Sequence, residues 1–216
     1  MLWQGIVKAF KRVNKMISIL DYDAGNIKSV EKAVAYLGEE GIITRDRDTI
    51  LASDKIILPG VGSFGDAMDK LREYKLCDVI YDVVEAGRPF LGICLGLQLL
   101  YKESEESPGA VGLGILDGVI KRIPDREGLK VPHIGWNSLN IKKGARLFRD
   151  VPDNSYVYFV HSYYLESGNK EDVAATTEYS TLIHASVEHE NVFACQFHPE
   201  KSSEVGLKIL KNFIEL

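Results

Sequence analysis

The sequence predicts an α/β fold, an open and mostly parallel sheet flanked by helices, with an antiparallel or mixed extension in its second half. Three observations carry this. Short apolar runs alternate with helical periodicity through the first half. Glycine-bearing turns follow several of these runs. From residue 118 onward the pattern changes to strand-like runs joined by short polar connections, closed by one helix.

Residues 17–22 (ISILDY) form an apolar run suited to a buried parallel strand. A turn, DAGN, follows, and Asn26 is placed to cap the next helix. That helix carries Ile27, Val30, Val34 and Leu37 on one face and ends at Gly38. Residues 42–46 read as a second strand, and 55–60 as a third that enters a glycine-rich loop. A helical stretch over 66–85 is expected to break near Tyr74. Residues 89–93 (PFLGI) are a strand and 95–104 (LGLQLLYKES) a helix. Six strand-like segments then follow, at 118–123, 131–139, 156–166, 173–179, 182–188 and 191–197. A final helix over 203–214 has Val205, Ile209 and Leu210 among its apolar positions.

The 216 residues suit one domain with a complete core, expected to span 16–216. With 26 basic against 31 acidic residues and a net charge of -5, the chain has no basic surplus for nucleic-acid binding. A neutral or anionic small substrate stays open. Cys77, Cys94 and Cys195 are sparse and odd in number, which argues for a reducing, cytoplasmic setting. The histidines at 133, 161, 184, 189 and 198 lack metal-ligand spacing, the closest pair, His184 and His189, lying on what reads as a hairpin. No metal or cofactor is expected. No apolar run reaches membrane-spanning length, so no membrane embedding is expected. Residues 1–15 read either as an extension from an upstream start ahead of Met16, or as a short basic amphipathic helix touching a membrane or partner.

The chemistry concentrates at Gly92-Ile93-Cys94-Leu95-Gly96, between a strand and a helix. This is the nucleophile-elbow pattern with cysteine in place of serine. Taken alone, a cysteine is more often a small buried hydrophobe. The elbow context favours a nucleophile, raised to the sheet edge at a helix amino terminus that favours thiolate, with the Leu95 N–H facing a developing oxyanion. Phe197-His198-Pro199-Glu200 supplies the partners. A strand delivers His198 as base, and Glu200 orients it through the second ring nitrogen. Pro59-Gly60-Val61-Gly62 ends another strand of the same sheet, where its glycines allow close backbone approach and a second oxyanion N–H.

In this order, a PG-G loop, GxCLGxQ and HPE, the motifs resemble the class I glutamine amidotransferase family over nearly the whole chain from Met16. The resemblance implies hydrolysis of the glutamine carboxamide through a glutamyl thioester on Cys94, with proton transfers by His198. It implies a substrate contact from Gln98 and a cradle for the amino and carboxylate groups of glutamine at His161-Ser162-Tyr163. PGVGSFGDAM, PHIGWN, YFVHSYY and FHPEKSS further resemble the branch of that family serving imidazole glycerol phosphate synthases in histidine biosynthesis. That implies a heterodimer with a (β/α)8-barrel cyclase subunit that takes the ammonia to make imidazole glycerol phosphate and aminoimidazole carboxamide ribotide. Tyr158, Lys201, Trp136 and Asn137 are then expected toward the partner. The glycines at 60 and 62 permit a peptide rotation, so the Val61 N–H is expected to reach the oxyanion position only when the cyclase holds its nucleotide. The rival readings are a catalytically silent subunit of the same fold and a cysteine hydrolase of the wider elbow-containing group.

Overall fold

A computed structural model describes residues 15–216, so the expectation for the amino-terminal segment lies almost wholly outside the described residues. The apolar runs of the first half become β1 (Met16–Leu20), β2 (Glu40–Thr44), β3 (Lys55–Leu58) and β4 (Phe90–Ile93). With β13 (Val192–Cys195) they form the parallel part of an eight-stranded sheet. The antiparallel strands β12 (Thr181–His189), β11 (Val173–Tyr179) and β8 (Asn140–Ile141) complete the order β2-β1-β3-β4-β13-β12-β11-β8. A small sheet holds β5 (Glu103–Ser104), β6 (Gly118–Arg122) and β10 (Tyr163–Ser167), and a ribbon pairs β7 (His133–Ser138) with β9 (Tyr156–His161).

The pleat sorts the strand residues between two cores. Ile17, Ile19 and Ile57 face one core, packed with α1 (Ile27–Tyr36) and α6 (Ser203–Glu215). Leu20, Ile56 and Leu58 face the other, with α3 (Phe64–Glu73) and α4 (Leu76–Glu85). Helices therefore cover both faces of the parallel region, as buried runs without polar alternation require.

The structure departs from the sequence reading at four places and agrees with it at a fifth. A short helix, α2 (Arg47–Ala52), follows β2, started by the Asp46 carboxylate accepting from the Thr49 N–H at 2.9 Å. The break expected near Tyr74 is present: α3 ends at Glu73, and Lys75 at φ 55° turns the chain into α4. The helix after Cys94, α5 (Leu95–Gln98), is only four residues long, since the chain then leaves for β5. The segment 156–166 is two strands, β9 and β10, which belong to different sheets. His184 and His189 both lie on β12 rather than on two arms of a hairpin.

Sheet order places the site. β1, β3, β4 and β13 are consecutive neighbours and all run parallel. Their carboxyl ends therefore gather the 21–26 turn, the PGVG loop, Cys94 and His198 at one edge, the usual position for ligands in such sheets.

Candidate active site

Cys94 stands between β4 and α5 at φ 55° and ψ -108°, backbone that a side chain adopts only under constraint. The constraint is steric. A methyl group on Gly96 would lie 1.9 Å from the Leu58 carbonyl oxygen, so α5 touches β3 at a distance only glycine allows. The sulfur is 6% exposed at the residue level and accepts a long contact from the Gln196 amide at 3.7 Å. The Val160 carbonyl oxygen lies 4.0 Å from it.

His198 follows β13, and its Nδ1 is 2.8 Å from Glu200 Oε1. Both side chains are buried, with 1% and 0% of their surface exposed. Nε2 is also buried and makes no hydrogen bond of normal geometry. Burial alone lowers the His198 pKa, but the neighbouring Cys94 sulfur and then the Glu200 carboxylate outweigh it and hold the ring at about 9. Thiol and imidazole are thus electrostatic neighbours awaiting closer approach, a state common before substrate binds.

The PGVG loop lies over the elbow. The Leu95 N–H donates to the Gly60 carbonyl oxygen at 3.4 Å, a long bond. In a trans peptide the C=O and N–H point opposite ways. The Gly60–Val61 peptide therefore presents its oxygen to the site, and the Val61 N–H points away. Gly62 has φ +107° and Val61 is exposed. The upstream side is fixed more firmly, because the buried Tyr22 hydroxyl donates to the Pro59 carbonyl oxygen at 2.7 Å.

Val61, Gly62, Cys94, Leu95 and Gln98 line a cavity of about 300 Å³ together with Glu106, Pro132, Val160, His161, Ser162 and Tyr163. Larger hollows of about 460 and 790 Å³ lie elsewhere, and neither is lined by a cysteine. The chemistry, and not size, selects the smaller one.

Gln98 Nε2 donates to the Tyr163 carbonyl oxygen and to Gln196 Oε1, both at 3.0 Å. Its nitrogen is therefore committed to protein partners. His161 is committed as well. Its Nδ1 lies 2.9 Å from the Tyr163 carbonyl oxygen, which can only accept, so Nδ1 carries the hydrogen. Nε2 then accepts from His133 Nδ1 at 3.1 Å. The ring braces the pocket wall and leaves the half-buried Ser162 and Tyr163 as the more accessible part of the predicted cradle. Glu106 and Gln196 were not singled out from the sequence. Glu106 lies just beyond the helix expected over 95–104, and Gln196 within the strand expected over 191–197. No local signal marks either.

Burial pushes the pKa of His161 down to about 3 and that of His133 down to about 4. Both rings are neutral in the folded chain, whereas the unfolded chain protonates them below about 6.5. The unfolded state then binds more protons, so stability is full above that pH and falls as pH drops toward 4 and then 3. At pH 5 the expected loss is about 2 kcal/mol for each ring. Thermal melting at pH 7.5 and pH 5 measures this. A His133→Phe variant, which keeps the stacking on Tyr179 and Phe159, should decline less steeply. An equal decline would remove His133 from the account.

Of the residues expected toward a partner, Trp136 is 52% exposed and packs edge-on against Tyr158 at 6.1 Å. Ile134 and Tyr156 extend this exposed face of the β7–β9 ribbon. Lys201 is exposed beyond Glu200. Asn137 is the exception. It follows Trp136 in β7, and its amide is taken up by the Glu178 carbonyl oxygen at 2.9 Å, so it braces the ribbon against β11. Among the described residues no cluster of His, Cys, Asp and Glu could hold a metal. No described helix is long and apolar enough to cross a membrane.

An elbow cysteine, a histidine–glutamate pair and an amino-acid-sized pocket on this fold define a glutamine amidotransferase of class I. The chain belongs to that family, whose profile, described as "Glutamine amidotransferase class-I", matches residues 18–216. Its relatives narrow the branch. It is 50% identical over 201 residues to "Imidazole glycerol phosphate synthase subunit HisH" of Methanocaldococcus jannaschii, covering 93% of this chain and 100% of that one. The protein of the same name from Caldanaerobacter subterraneus subsp. tengcongensis is 49% identical, with 93% and 98% covered. Among solved structures, "Crystal structure of glutamine amidotransferase" superposes with a TM-score of 0.73 at 22% identity, covering 92% of this chain and 97% of that one. "Structure of PurLQS from Thermotoga maritima" gives 0.71 at 20% identity, covering 94% and 98%. These two establish likeness of fold.

Proposed function

We infer that this chain hydrolyses glutamine to glutamate and ammonia as the glutaminase subunit of an imidazole glycerol phosphate synthase, acting in histidine biosynthesis. The observation that carries the chemistry is Cys94 at an elbow beside a buried His198–Glu200 pair. In this reading His198 takes the thiol proton as Cys94 attacks the carboxamide carbon. His198 then returns a proton to the departing ammonia and next activates water to release glutamate from the thioester. The N–H groups of Leu95 and Val61 serve the oxyanion.

Glu106 is proposed to hold the α-ammonium of glutamine. Its carboxylate lines the pocket, accepts from the Phe64 N–H at 2.7 Å, and has no ion-pair partner among the described residues. Burial raises its pKa, and a bound ammonium would offset that desolvation. Ser162 and Tyr163 are proposed to hold the α-carboxylate.

The ammonia acceptor is proposed to be a separate (β/α)8-barrel cyclase subunit forming a heterodimer with this chain in the cytoplasm. The exposed apolar face of Ile134, Trp136 and Tyr156, with the half-buried Tyr158 beside Trp136, supports this. It adjoins the site directly, since the Tyr158 carbonyl oxygen accepts from the His198 N–H at 2.9 Å. Exposed aromatic patches of this kind mark interaction surfaces.

A diazo-ketone analogue of glutamine tests the reading. It is expected to label Cys94, free glutamine should prevent this, and Glu106→Gln should weaken the protection about tenfold, the worth of one charge-assisted contact. Absence of labelling would favour a silent subunit. Labelling indifferent to glutamine would favour a general cysteine hydrolase.

A further inference from the structure

Glu200 presents an electrostatic problem that His198 alone does not solve. Its side chain is fully buried, and no lysine or arginine pairs with it among the described residues. Oε2 is buried without a hydrogen-bond partner. A carboxylate in such a place needs donors, and its orientation follows from where they are. Two donors are present, and both meet Oε1. One is His198 Nδ1 at 2.8 Å. The other is the side-chain amide of Asn26.

Asn26 reaches Glu200 by forgoing the role its position suggests. It precedes the first residue of α1, where an asparagine side chain ordinarily accepts from an N–H of the first helical turn. No such bond is made, and the backbone sits at φ -105° and ψ 7°. The amide extends across to the turn after β13. The 21–26 turn that carries it is anchored on its outer side. Asp23, at φ 68°, is held by Arg45 at 2.9 Å and by the Tyr74 hydroxyl. The same turn grips the oxyanion loop through Tyr22 and Pro59. It therefore touches both halves of the hydrolytic apparatus.

We propose that Asn26 is a positioning residue of the glutaminase site: its amide fixes the Glu200 carboxylate, which in turn holds the His198 ring with Nε2 toward Cys94. Without this donor the carboxylate keeps one partner and is free to rotate about its side-chain torsions. Each rotation carries the Nδ1 bond, and hence the ring, away from the thiol. A displacement of that kind affects proton transfer and leaves the glutamine pocket intact, because Asn26 does not line it.

The proposal rests on the glutaminase reading above, and one experiment separates the two. Glutamine hydrolysis is measured for the assembled two-subunit enzyme with the unsubstituted chain, Asn26→Ala and Asn26→Asp. The expected result for Asn26→Ala is a kcat lowered about tenfold with KM for glutamine within about twofold. Asn26→Asp keeps the size and shape of asparagine but sets an acceptor against Glu200. It should lose at least as much as the alanine variant. A packing role would give the reverse order, with the isosteric aspartate milder. Synthesis from added ammonia should be unchanged in both, which reports that the chain has folded and assembled. The proposal is overturned if both variants keep kcat within twofold, if aspartate is milder than alanine, or if KM alone changes. Failure of the unsubstituted assembly to hydrolyse glutamine would overturn the glutaminase reading and this proposal together.

Discussion

Replacing Cys94 with alanine is expected to abolish glutamine-dependent synthesis by the assembled enzyme and to leave synthesis from added ammonia at its original rate. The loss should be about 10⁴-fold or more, the scale that follows removal of an activated nucleophile. Alanine retains the β-carbon, so it makes the same demand on the φ of 55° at the elbow and leaves Gly96 seated against Leu58. What disappears is the sulfur, with its contact from Gln196 and its influence on His198. The apolar ribbon that is proposed to meet the cyclase contains no atom of Cys94, so assembly should persist. Parallel assays with glutamine and with ammonium salts decide the matter. Loss of both activities would mean that the substitution damaged the complex, and a residual glutamine-dependent rate near the original would remove Cys94 as nucleophile.

The parts of this site that could be read from the sequence are those in which one residue type has one backbone use. Gly96 can only be glycine where a helix meets the neighbouring strand, and such positions leave a motif. The strands β1, β3 and β4 were legible for a related reason, because burial on both faces produces short unbroken apolar runs. Long-range polar contacts leave no such mark. Asn26 meets Glu200 across 174 positions, and Gln98 meets Gln196 across 98. The local pattern assigns Asn26 to a helix cap and Gln196 to a strand interior, and each assignment is reasonable for its neighbourhood. Only the sheet order, which sets β13 beside β4 and separates it from β1 by β3 and β4, brings these side chains together. The over-long helix after Cys94 has the same origin. LGLQLLY satisfies helical spacing, but Leu113 and Ile115 pair their N–H groups with the carbonyls of Leu99 and Leu100 and draw the chain out of the helix.

The other large effect should come from the oxyanion loop, and it concerns when Cys94 acts. With the Gly60 carbonyl oxygen facing the Leu95 N–H at 3.4 Å, the site offers a developing oxyanion an acceptor where it needs a donor. Rotation of the single Gly60–Val61 peptide would withdraw that oxygen, free the Leu95 N–H and bring in the Val61 N–H. Tyr22 holds the Pro59 side of the loop, and Gly62 at φ +107° supplies freedom on the other, so the rotation can stay local. Each oxyanion donor is worth about 10²–10³ in rate. Glutamine hydrolysis by the assembled enzyme should therefore rise by roughly that factor when the cyclase binds its nucleotide. A Val61→Pro variant has no N–H at this position and should respond less than about tenfold, while its ammonia-dependent synthesis remains. Ammonia release measured with and without the nucleotide is the deciding assay. Equal rates would show that the loop does not gate the site, and the Gly60 oxygen would then have to be accommodated by another route during attack. Unequal rates in the unsubstituted enzyme that persist in Val61→Pro would place the gate elsewhere, in the approach to the thiol of His198 Nε2, which is buried without a hydrogen-bond partner.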